Sequence, residues 1–313
     1  GQRIRPSPEA LSLLPSGMAA SRTAQYVAFY RALETTETAR SPLFRDPHAR
    51  SFLSPTSRLA LSAAGTRSLR TAIVDYADWR APGARTSAIG RTRFIDDVVG
   101  ARAMAGAEQL VLLGAGYDCR PYRLPELRAL HAFEVDQPEM IAARRAQLDG
   151  RPALAKQVTR VPIDFTRDDL RARLLESGFN PQARTVFVWE GVTNYLPEEA
   201  VAGVLRFVAS CHPGSTLVFT YIHRGVIDGT ARFEGADKLL RSVRQLGEPW
   251  KFGLLPAETG AYLRSFGLKL IEDIGADEYR SRYLGASEND LRGYGFYRVA
   301  VAEVSSEPAT AAP

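Results

Sequence analysis

The chain has 313 residues, 45% of them hydrophobic, enough to bury the core of one large domain or of a domain with a sizeable appendage. Its net charge is +5 and its pI about 9.3, yet only Lys156, Lys238, Lys251 and Lys269 are lysines and the arginines are spread along the chain, which argues against a phosphate-binding stripe and a nucleic-acid partner. There is no run of about 18 apolar residues and no amino-terminal leader pattern, and Cys119 and Cys211 form neither a disulfide framework nor a zinc site, so the expectation is a cytoplasmic chain with no membrane partner and no metal.

The first eight residues and the last nine, SSEPATAAP, lack periodicity and read as loose tails, the second a disordered tail over 305–313. From about residue 20 to 105 apolar residues recur at helical spacing, as in Tyr26, Val27, Tyr30, Ala32 and Leu33, and later in Phe94, Val98 and Met104. Proline-bearing breaks at Ser41-Pro42, Asp46-Pro47, Ser54-Pro55 and Ala81-Pro82 divide this helical cap, 1–105, into pieces.

Beyond it, short apolar runs alternate with longer mixed segments, the pattern of a parallel sheet covered by helices. Strands are predicted at Gln109–Leu113, His131–Val135, Val158–Ile163, Thr185–Trp189, Ser215–Tyr221, Leu268–Ile274 and Tyr294–Val304. Helices are predicted at Gln137–Leu148, Asp168–Ser177 and Glu198–Ala209, the last opening on Pro197 with two glutamates in its first turn. The segment 222–261 breaks the rhythm and carries Pro249, Trp250, Phe252 and Pro256; it reads as a lid or substrate wall, with an extra packing helix as the alternative.

Chemistry gathers where strands end. VLLGAGYDCR runs an apolar strand into Gly114-Ala115-Gly116, where the backbone can turn tightly and a ligand can approach without meeting a Cβ; a plain strand-to-helix turn would look the same. FEVDQP places Asp136 at the next tip, suited to accept from ribose hydroxyls, with Glu134 read as structural. In VPIDFT, Asp164 could accept from an adenine amine while Phe165 packs its face, or Asp164 could cap the following helix. In VFVWEGVTNYL, Glu190 follows an apolar strand, a costly place for an acid that a positively charged ligand would explain; Trp189 and Tyr195 line the same cavity or belong to the core.

A glycine turn of this kind serves NAD or S-adenosylmethionine. Cys119 stands where a dinucleotide fingerprint has its third glycine, four strand tips carry acids, and the link around Ala286–Arg292 is too short for a crossover helix, so the last strand should enter antiparallel, hairpin-like against the one before. These features favour S-adenosylmethionine. The fold expected is α/β: a class I methyltransferase Rossmann-like seven-stranded sheet with its last strand antiparallel, a helical cap over 1–105, a catalytic domain over 106–304 and an inserted lid.

The segments SRTAQYVAFYRALET, LFRDPHA, GRTRFIDD, VLLGAGYDCRPYRL, FEVDQP, PIDF, WEGVTNYLPEEAV and GSTLVFTY together resemble the leucine carboxyl methyltransferase family, from about Ser21 to Glu303, and within it the bacterial branch that includes tetracenomycin-type polyketide carboxyl methyltransferases. By that resemblance Arg91 would bind the methionine carboxylate of the cofactor, Gly114 and Gly116 its methionine portion, Asp136 the ribose, Asp164 and Phe165 the adenine, and Glu190 the amino or sulfonium end. Arg31 is the nearest candidate for a second basic residue on that carboxylate, although it lies about one helical turn past the expected place; surface salt bridging is the plain alternative for both arginines.

The resemblance implies O-methylation of a small molecule, a secondary metabolite, at a carboxylate. That acceptor is already ionised and needs no general base. A phenol or alcohol acceptor would need one, and His223 in TYIHRG is the candidate, with Arg224 beside it able to steer an acidic substrate instead. A module that binds the nucleotide cofactor without turnover is the competing reading from another class.

Overall fold

The computed structural model describes residues 22–37, 41–245, 247, 249–284 and 293–306. Its strands are β1 (Gln109–Leu113), β2 (His131–Asp136), β3 (Gln157–Pro162), β4 (Thr185–Trp189), β5 (Thr216–Ile222), β6 (Leu268–Ile274) and β7 (Tyr297–Val304). Its helices are α1 (Arg22–Thr35), α2 (Pro55–Ala63), α3 (Arg67–Arg80), α4 (Ala84–Met104), α5 (Arg120–Arg123), α6 (Pro138–Leu148), α7 (Leu170–Glu176), α8 (Glu198–Ala209), α9 (Arg224–Ile227), α10 (Ala236–Gln245), α11 (Pro256–Arg264) and α12 (Ala276–Tyr283). No helix among the described residues is long and apolar enough to cross a membrane.

The strands form one sheet in the order β3-β2-β1-β4-β5-β7-β6. β1 to β5 run parallel, and β7 lies antiparallel between β5 and β6, as expected of the last strand. The chain winds outward from β1 in one direction and then from β4 in the other, so a crevice opens between the carboxyl ends of β1 and β4, where ligands of such sheets bind.

β1, β4 and β5 are buried throughout, which is why they read as continuous apolar runs rather than alternating ones. Alternate residues serve two layers. Val111, Leu113, Phe133, Phe187 and Leu217 pack with α7, α8 and α11. Leu110, Leu112, Val186, Val188 and Val218 pack with Phe94, Ile95 and Val99 of α4 and with Tyr279 of α12.

The proline breaks act as helix punctuation. Pro55 opens α2, and the Ser54 hydroxyl accepts the Ser57 N–H at 3.2 Å to cap it. Asp46 accepts from the backbone of His48 and Ala49 at 3.2 and 3.0 Å. Ala28, Leu33, Phe52 and Leu61 of this helical region pack on Tyr117, Tyr122 and Met140, so it is seated on the loop that follows β1.

One expectation needs revision, and others fall outside the described residues. Phe94, Val98 and Met104 all lie in α4, as their helical spacing predicts, with Met104 at its end 77% exposed. α12 occupies the connection from β6 to β7, where the sequence offered only a short link; Ala286–Arg292 themselves lie outside the described residues, as do residues 1–8 and 307–313 of the tails. The segment after β5 is partly helical, as α9 and α10, and buries Trp250 and Phe252.

Glu134 lies fully buried in β2, paired with Arg144 of α6 and, at 3.1 Å, with Arg160, its register partner in β3. Arg144 in turn donates to the carbonyl of Gly116 at 2.8 Å, so this pair braces the glycine turn from below. Removing one member of a buried pair strands the other. Glu134→Ala is expected to destabilise the fold by about 3–5 kcal/mol in urea denaturation, and a change under about 1 kcal/mol would contradict this.

Candidate active site

The turn after β1 has Gly114 at φ +70° and Gly116 at φ +47°, conformations that side-chain-bearing residues avoid. A Cβ on Gly114 would lie 2.4 Å from Cγ2 of Val192, so the loop after β1 and the loop after β4 touch across the crevice. The N–H groups of Gly114 and Ala115 both donate to the carbonyl of Val135, at 2.8 and 2.9 Å. Asp136 closes the arrangement: one oxygen accepts from the N–H of Gly116 at 2.6 Å and the other from that of Gln137 at 2.7 Å. Burial raises the Asp136 pKa above its ordinary value, and those two donors hold the rise in check.

Across the crevice, Glu190 follows β4 and meets two buried arginines. Arg91, from α4, donates through Nε to Oε1 at 2.7 Å, and Arg120, from α5, donates through Nη1 to Oε2 at 3.0 Å. Arg120 also bonds Asp118 and, at 2.8 Å, Asp96; Arg123 forks onto both oxygens of Asp96 at 2.7 Å and comes within 3.6 Å of Asp46. Arg31 pairs with Asp46 at 3.0 Å and donates to the carbonyl of Tyr117. Arg31, Arg91, Arg120 and Arg123 thus balance Asp46, Asp96, Asp118 and Glu190. Both Arg91 and Arg31 are buried, which replaces the reading of either as a surface salt bridge.

Burial alone would push the Glu190 carboxyl up, but Arg91 and Arg120 outweigh it and hold the pKa at about 2. The folded value lies below the ordinary 4.5, so these ion pairs stabilise the fold fully above about pH 4.5 and lose that contribution as the pH falls towards 2. Glu190→Gln should therefore flatten the loss of stability across that window, followed by urea midpoints; a slope equal to that of the parent chain would contradict the assignment.

Asp164 and Phe165 follow β3 at the flank of the sheet. Oδ1 of Asp164 accepts from the N–H and hydroxyl of Thr166, at 2.9 and 2.7 Å, which lowers its pKa, and Phe165 packs against the core. At the other flank His223 follows β5 and opens α9, its Nδ1 accepting from the N–H of Gly225 at 3.1 Å and its ring 5.0 Å from that of Phe233. Burial, and then the charge of Arg298, lower its pKa. Tyr195, in the turn Thr193–Tyr195 after β4, packs on the same cluster as Phe233.

In sheet order the edge presents Asp164, Asp136, the glycine turn, Glu190 with Arg91, and His223. Four strand intervals of about 4.8 Å give roughly 19 Å, room for an elongated ligand lying across the tips. Arg31 meets the loop after β1 at the Tyr117 carbonyl, near enough to Glu190 for its charge to lower that pKa. The partners Asp96, Asp118, Arg120 and Arg123 escaped the sequence reading, although GRTRFIDD and GAGYDCRPYR contain them; a pairing between distant segments leaves no local spacing to detect.

A family model described as leucine carboxyl methyltransferase matches residues 24–209, the stretch that contains all of these residues except His223. The chain belongs to the leucine carboxyl methyltransferase family. This methyltransferase is 37% identical over 211 residues, 66% of its own length and 70% of the other's, to a protein of Frankia alni named "Putative S-adenosyl-L-methionine-dependent methyltransferase". It is 35% identical over 236 residues, 72% and 71% of the two lengths, to a protein of the same name from Mycolicibacterium gilvum. Its fold matches the crystal structure of a protein titled a putative methyltransferase from Thermobifida fusca, with a TM-score of 0.55 at 19% identity over 90% of this chain and 94% of that one. The architecture is that of the class I methyltransferases.

Proposed function

We propose that this S-adenosylmethionine-dependent methyltransferase esterifies a carboxylate of a small organic acid. The residues at the crevice fit the donor by their chemistry. Arg91 is a buried fork for the methionine carboxylate, and Glu190 an ionised acceptor for the amino or sulfonium end. Asp136 accepts from the ribose, Gly114 and Gly116 admit the methionine portion, and Asp164 with Phe165 flanks the adenine. Arg31, bonded to the Tyr117 carbonyl and near enough to Glu190 for its charge to lower that pKa, is the second basic residue offered to the methionine carboxylate. The segment 222–261, with Phe233, Leu239 and Leu240 beside Tyr195, supplies an apolar wall for the acceptor.

When bound, S-adenosylmethionine supplies a methyl carbon on a positively charged sulfur, which keeps the bonding pair as the acceptor oxygen forms the new C–O bond. A carboxylate acceptor loses its negative charge as the sulfonium loses its positive one, so no proton has to move. The protein's task is then to hold the two reactants in line and exclude water, which supplies up to about 7–11 kcal/mol.

The observation that favours a carboxylate over a hydroxyl is the state of His223. Its Nδ1 lone pair is committed to the Gly225 N–H, which places the proton of the neutral ring on Nε2, a donor rather than a base. His223→Ala is expected to leave kcat within about threefold of the parent; a loss of about a hundredfold or more would make His223 a general base and the acceptor a hydroxyl.

The reading as a whole is tested with methyl-labelled S-adenosylmethionine and a panel of aromatic acids and phenols. Labelled products that release methanol in mild base are the expected result. Base-stable products would overturn carboxyl transfer.

A further inference from the structure

We infer that Tyr297 is a positioning residue for donor binding: its ring is the platform that holds the Arg91 guanidinium at the crevice while the guanidinium's N–H groups stay available to carboxylates. The inference rests on the reading of Arg91 as the clamp for the donor's carboxylate. Tyr297 opens β7, the strand inserted antiparallel beside β5, and its register partner is Ile222 at the tip of β5. That insertion carries an aromatic ring into the row of parallel strand tips. The Cζ atom of Arg91 lies over the ring, 4.7 Å from its centroid.

The geometry matters because of what it leaves free. Glu190 holds Arg91 through Nε, along an edge of the planar group. A carboxylate arriving at the same guanidinium competes for those edges, and a hydrogen-bonding brace would have to be given up. The aromatic face attracts the cation without using any N–H, so it can hold Arg91 before and after such an exchange.

The hydroxyl end of Tyr297 is tied to the same loop as Glu190. Its oxygen lies 3.4 Å from Oγ1 of Thr220, which accepts from the N–H of Gly191 at 2.8 Å, and a Cβ on Gly191 would come within 3.7 Å of it. The Thr193 hydroxyl donates to the carbonyl of Thr220 at 2.5 Å, fixing the loop from its other side. Thr220 and Thr193 thus fix the loop without the Tyr297 hydroxyl, whose 3.4 Å contact is long, and the ring face is the part of Tyr297 that acts on Arg91.

The test compares two probes on the full chain: S-adenosylhomocysteine, which carries the amino-acid end, and 5′-methylthioadenosine, which lacks it. Tyr297→Leu is expected to weaken S-adenosylhomocysteine about five- to thirtyfold while leaving 5′-methylthioadenosine within about twofold, and Tyr297→Phe, which keeps the ring, to change neither by more than about twofold. Equal weakening of both probes by Tyr297→Leu, or no change in either, would overturn the inference. Should the leucine variant fail to fold, pentafluorophenylalanine at position 297 keeps the shape and removes the negative face, and the same preferential loss relative to Tyr297→Phe is expected. Arg91→Ala run beside them separates the two readings. If it too fails to distinguish the probes, the clamp itself is wrong; if it does distinguish them and Tyr297→Leu does not, only the platform is.

Discussion

Replacing Arg91 by alanine is expected to weaken S-adenosylmethionine binding by about two to three orders of magnitude. Arg91 is buried, donates to Glu190 at 2.7 Å and lies over the Tyr297 ring, so its guanidinium is already desolvated and aimed before any ligand arrives. Truncating one partner of a buried, hydrogen-bonded charge pair costs about 2–5 kcal/mol, because the partner charge is left without compensation. At about 1.4 kcal/mol per tenfold, the middle of that range gives the affinity loss stated. Arg91→Lys keeps the charge but not the planar fork and should fall between the parent and the alanine variant. The alanine variant also leaves Glu190 with Arg120 as its remaining arginine partner, so binding must be measured well below its own unfolding temperature. Calorimetric titration reporting a donor affinity within about threefold of the parent would remove Arg91 from the site.

Gly114→Ala is expected to destabilise the protein by about 2–6 kcal/mol and to abolish measurable turnover. Two separate costs meet at this position. The φ of +70° strains any residue with a Cβ by about 1–3 kcal/mol. The Cβ would also lie 2.4 Å from Cγ2 of Val192, an overlap of the kind that costs about 1–3 kcal/mol in packed interiors. The two are separable by adding Val192→Ala, which relieves the contact and not the backbone, so about half of the stability should return. Gly116→Ala is the matching control: φ is also positive, at +47°, but its Cβ would meet only the Gly114 carbonyl at 3.8 Å, and the cost should be the backbone strain alone. Urea midpoints for the four chains decide the matter. A neutral Gly114→Ala would mean that the loops after β1 and β4 do not meet as described.

How much of this was readable in advance depended on whether a residue's role is local. The interior strands β1, β4 and β5 are buried throughout, so their apolar runs could be found without knowing their neighbours. α8 could be delimited because Val201, Val204, Leu205 and Val208 recur at helical spacing behind a proline and two glutamates. α12 could not: its sequence, ADEYRSRY, buries only Ala276 and Tyr279 and so has little apolar periodicity. At the site, the glycine turn and the acids at strand tips announce themselves by following apolar strands. The surroundings of Glu190 do not. An acid in that position implies a nearby positive charge, which the sequence alone assigns to a ligand; two arginines of the chain itself, from α4 and α5, supply it in this structure. Tyr297 was equally hidden, since only the antiparallel insertion of β7 brings it beside Arg91.

Donor binding needs no acceptor, so the donor assignment is testable before the acceptor is known. Calorimetric titration of the full chain with S-adenosylmethionine and, separately, with NAD is the most direct measurement. Saturable binding of one S-adenosylmethionine per chain, with no heat from NAD, is the predicted result. Tight binding of NAD with no response to S-adenosylmethionine would contradict the account at its centre.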